Sequence, residues 1–245
     1  MNNKPILTYI LIVVSVIVFL LQWYYQFVYG EKFLEEIFYN FGFSFQNLLI
    51  GKFWVFITSI FLHAGVEHLL LNMLALFCFG RIVEMELGKV KFLLVFFASA
   101  FIGDLAILVS IFLGFISVST PTIGISAAIF GLMGTAMLLK PFKFVIYPYL
   151  IPIPLILVAL VYTLYNIAAF LLVTTTETAS NISYISHIGG LAAGILFGFR
   201  EEGSKKGFIA LLILLILLIT TPFLWIVLQY LENFNYITLL TEIFK

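Results

Sequence analysis

Residues 186–198 read Ser-His-Ile-Gly-Gly-Leu-Ala-Ala-Gly-Ile-Leu-Phe-Gly. Gly190, Gly194 and Gly198 recur every fourth residue, so one side of a helix here is bare and suited to close contact with a second helix. The only ionisable group in the run is His187, near its start. Such a group beside an apolar span is costly and marks a functional site by default. A matching small face lies upstream in Gly-Ile-Ser-Ala-Ala-Ile-Phe-Gly-Leu-Met-Gly, 124 to 134, at Ala127, Gly131 and Gly134. If the two faces meet, His187 comes within hydrogen-bond reach of Ser126, the distance a base needs to activate a hydroxyl. The plainer account is that Ser126 caps a helix, Gly124 makes a turn and the glycines only pack.

Composition sets the solvent. The chain has 245 residues, 63% hydrophobic and 10% charged, with 28 Phe and 12 Tyr. Soluble domains are about 45–50% apolar and about 25% charged, so this reads as a chain solvated by lipid with interfacial aromatic belts. Formal net charge is zero, which argues against a nucleic-acid partner. The single Cys78 excludes an internal disulfide and a cysteine-based metal site. The apolar N-terminal run lacks a small-residue cleavage motif, so a retained anchor is expected.

Seven stretches suit a bilayer crossing, which takes about 20 mostly apolar residues. They are 5–27, 67–83, 91–115, 126–139, 152–173, 183–199 and 208–231. The expectation is an all-α membrane protein: a six-helix transmembrane core over 1–200, and a seventh helix with a C-terminal tail over 201–245. Residues 30–65 are too broken to span and too apolar for water, so they read as a partly submerged first loop. Lys4, Lys89, Lys91, Lys140, Lys143, Arg200, Lys205 and Lys206 fall on one side, against Lys32, Lys52 and Lys245 on the other. By the positive-inside rule the N-terminus is cytoplasmic. His63, His68, Ser126 and His187 then share one depth near the outer face.

His68 and Asn72 are one helical turn apart on one face. Together they suit either hydrogen bonds to a developing oxyanion or bonds that hold a helix bundle together. Three histidines also raise the question of zinc. No His-Glu-x-x-His occurs, and His63 and His68 are five apart, on different faces of a continuous helix. Neither a metal nor a cofactor is expected.

At these residues the chain resembles the rhomboid intramembrane serine proteases, over about 52 to 198. His-Ala-Gly-Val-Glu-His-Leu-Leu-Leu-Asn-Met, 63 to 73, resembles the family's first-loop and second-helix stretch. Gly-Arg-Ile-Val-Glu-Met-Glu-Leu-Gly, 80 to 88, resembles the end of that helix, with Glu84 at its acidic position. The segment 124 to 134 resembles the nucleophile motif, and His187-Ile-Gly-Gly the base motif. The resemblance implies Ser126 as nucleophile and His187 as general base, a dyad without a carboxylate. It implies an oxyanion hole from His68, Asn72 and the Ser126 backbone N–H, with His63, Gly124, Phe130 and Gly190 in support. It also implies that the fifth helix and the loop after it, 174–182, gate the entry of membrane-anchored protein substrates. A multi-pass protein of the cell membrane follows, its active site facing outward.

Three positions depart from the family pattern. Ala127 stands where Gly is usual, Val55 follows Trp54 where Arg is usual, and Phe130 lacks the hydroxyl found in some members. No reacting group is removed. The alternatives are an inactive rhomboid-like factor that binds membrane proteins, and a transporter using Asp104 and the histidines. The transporter reading predicts paired inverted repeats, and the sequence has none. Asp104, an acid within the third helix, takes no role in the expected chemistry.

Overall fold

The computed structural model describes residues 4–114, 117–145, 152–176 and 184–202, and the single positions 209, 212 and 216. The chain is predominantly helical. Helix α1, Ile6–Tyr29, ends at Gly30 with φ 84°. No side chain of its own caps its start. The cap comes from Glu84: its carboxylate accepts Leu7 N at 2.9 Å, Thr8 N at 2.8 Å and Thr8 Oγ1 at 2.8 Å. A carboxylate there satisfies orphan N–H groups and faces the positive end of the helix dipole.

The first loop forms three short helices, α2 Glu31–Phe41, α3 Phe45–Leu49 and α4 Val55–Phe61. Ser44 caps α3 by accepting from Asn47 N. Phe43 and Thr122 exchange backbone bonds of 2.9 and 2.7 Å, tying the loop to the strand of chain that leads to Ser126. Val55 is fully buried with Phe43 and Ile107. This position is therefore an apolar core contact.

Two helical runs are long and apolar enough to cross a membrane, Ile6–Tyr29 and Val66–Phe112. The second spans 47 residues; straight, it would measure about 70 Å, far more than a bilayer core of about 30 Å. It comprises α5 Val66–Ala75, a π turn Leu76–Gly80, and α6 Arg81–Phe112. Gly88, with φ 81° and ψ 172°, breaks the run. The chain reverses there, because His68 and Asp104, on opposite sides of Gly88, line one cavity. Only glycine enters this conformation without strain.

After the turn come α7 Ser126–Leu139, a hairpin of β1 Phe144–Val145 and β2 Ile153–Pro154, α8 Leu155–Thr176 and α9 Tyr184–Glu202. Nearly every residue of α7 is buried, so it is the central helix. A Cβ on Gly190 would collide with the Ala127 carbonyl, and one on Gly194 with the Gly131 carbonyl. Thr135 Oγ1 donates to Gly194 O at 2.9 Å across the same seam. Gly189 faces α6 instead, where a Cβ would lie 2.9 Å from Ile102 O. Lys91 pairs with Glu201, and Lys140 with Glu86 at 3.3 Å, at the end of the bundle away from Ser126. Half-exposed pairs of this kind contribute about 0–1 kcal/mol each.

The expected seventh helix over 208–231 falls outside the described residues but for three positions, as does most of the loop 174–182 and the tail 232–245. The second and third expected helices run a few residues differently from expectation. The second continues to 87, and the third begins at 89, because Gly88 sets the boundary rather than the lysines that follow it.

Candidate active site

Ser126 is the first residue of α7, and Ile125, not Ser126, holds the N-cap position. Its Oγ lies 2.6 Å from His187 Nε2, with 61 residues of chain between them. The bare seam of α7 against α9 makes that distance reachable. The His187 ring is sandwiched: Phe130 stacks on it at 4.6 Å and 8°, and Tyr184 meets it edge-on at 6.0 Å. Its other nitrogen, Nδ1, is hydrogen-bonded to Asn166 Oδ1 from α8. Asn166 is buried, and its Nδ2 donates to Tyr184 O at 3.1 Å.

His68 approaches from α5. The backbone N–H of Ala64 donates to its Nδ1 at 3.3 Å. An amide N–H only donates, so the neutral ring carries its proton on Nε2. Gly124, at φ +116°, lies against that edge: a Cβ there would come within 2.9 Å of His68 Cε1 and 3.0 Å of Nε2. Gly124 N donates to Ser59 O at 2.8 Å, which anchors the turn. A cavity of about 20 Å³ is lined by Ser126, His187, His68, Gly124, Asp104 and Ser186, among others. That volume accommodates about one water. Asn72 is not among its lining residues; it is buried one turn along α5, and its Nδ2 has no partner among the described residues.

His63 stands apart from the reacting atoms. Its Nδ1 bonds to Phe61 O at 3.1 Å, and its ring meets that of His68 edge-on at 5.2 Å. Gln22 of α1 clamps its backbone, donating to His63 O at 3.1 Å and accepting from His63 N at 3.2 Å. Burial, and then the neighbouring His68, push its pKa down to about 4 against the pull of the Phe61 carbonyl. It is neutral at pH 7.

Asp104 is buried at the cavity wall, and its Oδ2 has no hydrogen-bond partner among the described residues. Asn166 and Gln22 escaped the sequence reading. The available signal was an amide within an apolar helix, the same reasoning that singled out the histidines.

A hydroxyl in contact with an imidazole, beside unsatisfied helix N–H groups, is suited to acyl transfer. Comparison with known proteins identifies the family. The Rhomboid domain family model matches residues 50–202. The chain belongs to the rhomboid family. Rhomboids are integral membrane proteins, which accounts for the composition and the two long apolar runs. The chain is 29% identical over 194 residues to Rhomboid protease GluP of Bacillus subtilis, covering 79% of this chain and 34% of that protein. It is 33% identical over 156 residues to YdcA of the same organism, covering 64% of this chain and 71% of that protein. RHOMBOID-like protein 6, mitochondrial, of Arabidopsis thaliana is 33% identical over 146 residues, 60% of this chain and 43% of that protein. The chain thus spans about a third of the length of GluP. At the family level these relatives support intramembrane proteolysis.

Proposed function

We propose that this rhomboid is an active intramembrane serine endopeptidase, with Ser126 as nucleophile and His187 as general base. The 2.6 Å contact between Ser126 Oγ and His187 Nε2 carries the reading. His187 Nε2 takes the hydroxyl proton as Oγ attacks the scissile carbonyl, and returns it to the leaving amine. Water then hydrolyses the acyl-enzyme by the same proton path. The tetrahedral oxyanion is held by the Ser126 N–H in the first turn of α7 and by His68 Nε2–H. Asn72 Nδ2, buried and without a partner among the described residues, is the third donor. An unpaired buried amide is costly, and an incoming oxygen relieves that cost.

Substrates are membrane-anchored proteins whose spanning helix unwinds near the outer face, because an intact helix keeps its carbonyls bonded. They enter past α8 and the loop 174–182. The fold that goes with this function is a six-helix core over 1–200, a submerged loop over 30–65 and a seventh helix over 201–245. Its N-terminus is cytoplasmic and its site faces the outer side of the cell membrane.

The test is fluorophosphonate labelling of the purified full chain, paired with cleavage of a transmembrane substrate. Wild type takes the label on Ser126, and Ser126→Ala and His187→Ala lose both label and cleavage. Cleavage that survives Ser126→Ala removes the reading. A wild type that never labels favours a non-catalytic membrane-protein binder.

A further inference from the structure

Two helices deliver the reacting pair, and a third touches it. Asn166 on α8 bonds to His187 Nδ1 through Oδ1, and to the Tyr184 carbonyl through Nδ2. The carbonyl can only accept, so the Asn166 amide has one orientation available, with Nδ2 toward Tyr184 and Oδ1 toward His187. Oδ1 has no hydrogen to give, so His187 Nδ1 carries the proton. The lone pair is then on Nε2, which faces Ser126 Oγ.

We infer that Asn166 is a positioning residue for catalysis, holding His187 in the tautomer and ring angle that let it act as base. This rests on the serine–histidine reading above. A buried base with a free Nδ1 would distribute its proton between two nitrogens and turn about its side-chain torsion. Phe130 and Tyr184 restrain the ring plane but not the choice of nitrogen. A neutral amide makes that choice without adding a charge to the site; papain-like proteases use the same Cys-His-Asn logic on an unrelated fold. Because Asn166 rides on α8 while Ser126 and His187 ride on α7 and α9, α8 must be docked for the base to be set.

The experiment follows the rate of fluorophosphonate labelling of the full chain against pH, with thermal melting of each variant. Asn166→Leu keeps the volume and removes both bonds. It is expected to label about 100-fold more slowly, the scale of a misplaced catalytic group, while the protein still melts cooperatively. Asn166→Asp keeps an acceptor at Nδ1–H and adds a charge that favours the imidazolium. The carboxylate cannot donate to the Tyr184 carbonyl, so this variant's labelling at high pH should exceed that of the Leu variant by about 10-fold without reaching wild type, with the acid limb moved up by about one pH unit. A residue that merely packs would slow both variants alike and leave the limb in place. An Asn166→Leu rate within threefold of wild type overturns the inference, as does an unmoved acid limb in Asn166→Asp. Should the Leu variant not fold, the Asp variant decides alone. Absence of labelling in wild type sinks the serine-nucleophile reading instead, so the two failures are distinguishable.

Discussion

Phe130 lies flat on His187, 4.6 Å between ring centroids and 8° between planes. The two residues come from α7 and α9, and Phe130 stands one turn beyond Ser126 on the same helix. One helix therefore supplies both the nucleophile and the wall that keeps the base facing it. Phe130→Ala should lower the labelling rate about 10-fold, and the loss of a buried ring should lower stability by about 3 kcal/mol. Phe130→Tyr keeps the stack and should label within about threefold of wild type. Kinetics and thermal melting of the two variants separate the effects.

The α7–α9 seam predicts a sharper result. Gly190 faces the Ala127 carbonyl with no room for a methyl group. Gly190→Ala must push α9 away from α7 at the level of the reacting pair, and about 100-fold or more of activity should go with it. Ala127→Gly leaves that main-chain contact alone, because the Ala127 Cβ faces Gly103 of α6. Near the start of α7 it should cost at most about 1 kcal/mol and leave labelling close to wild type. Labelling rates for the two substitutions check this.

Glu84 predicts a loss of stability without a loss of chemistry. Its carboxylate is fully buried and accepts from Leu7 N, Thr8 N and Thr8 Oγ1. Glu84→Ala leaves those donors unsatisfied at the start of α1 and should cost about 3 kcal/mol or more. The site lies at the other end of the bundle, so labelling per folded molecule should stay near wild type. Melting in detergent, normalised against labelling stoichiometry, tests this.

His63 predicts a pH dependence of stability. Its pKa is about 4 in the fold, against about 6.5 in an unfolded chain. Above pH 6.5 the ring is neutral in both states and nothing is lost. As pH falls from 6.5 toward 4 the unfolded chain takes up a proton that the folded one refuses, so stability declines. The decline totals roughly 3 kcal/mol by pH 4. His63→Gln should flatten this part of the melting-against-pH curve while keeping a donor for the Phe61 carbonyl.

Much of the helical layout was legible because hydrophobic runs and glycine spacing are local properties. The 124–134 and 186–198 faces could be matched by eye, and the geometry joins them. Three things were harder to see. Gly88 precedes Lys89 and Lys91, which suggested a later start for the third helix, and only its backbone angles reveal the turn. Glu84 reaches α1 across 76 residues, a distance no periodicity can report. Asn166 is a lone amide in a long apolar run, and its meaning depends on where the Tyr184 carbonyl points. Sequence reading also assigned His68 and Asn72 as a matched pair. His68 lines the cavity, and Asn72, buried one turn further along α5, is not among its lining residues.

The main-chain contact between α7 and α9 has a consequence for how this protein can change. Where helices meet through large side chains, a substitution on one can be absorbed by a rotamer shift on the other. Where carbonyl oxygens face bare α-carbons, as at Ala127 with Gly190 and Gly131 with Gly194, there is no rotamer to shift. Variation in this seam is therefore close to all-or-none, while the lipid-facing flank of α1 can drift freely among apolar residues. A lineage can rebuild its outer surface for new membranes and still inherit an unaltered spacing between serine and histidine.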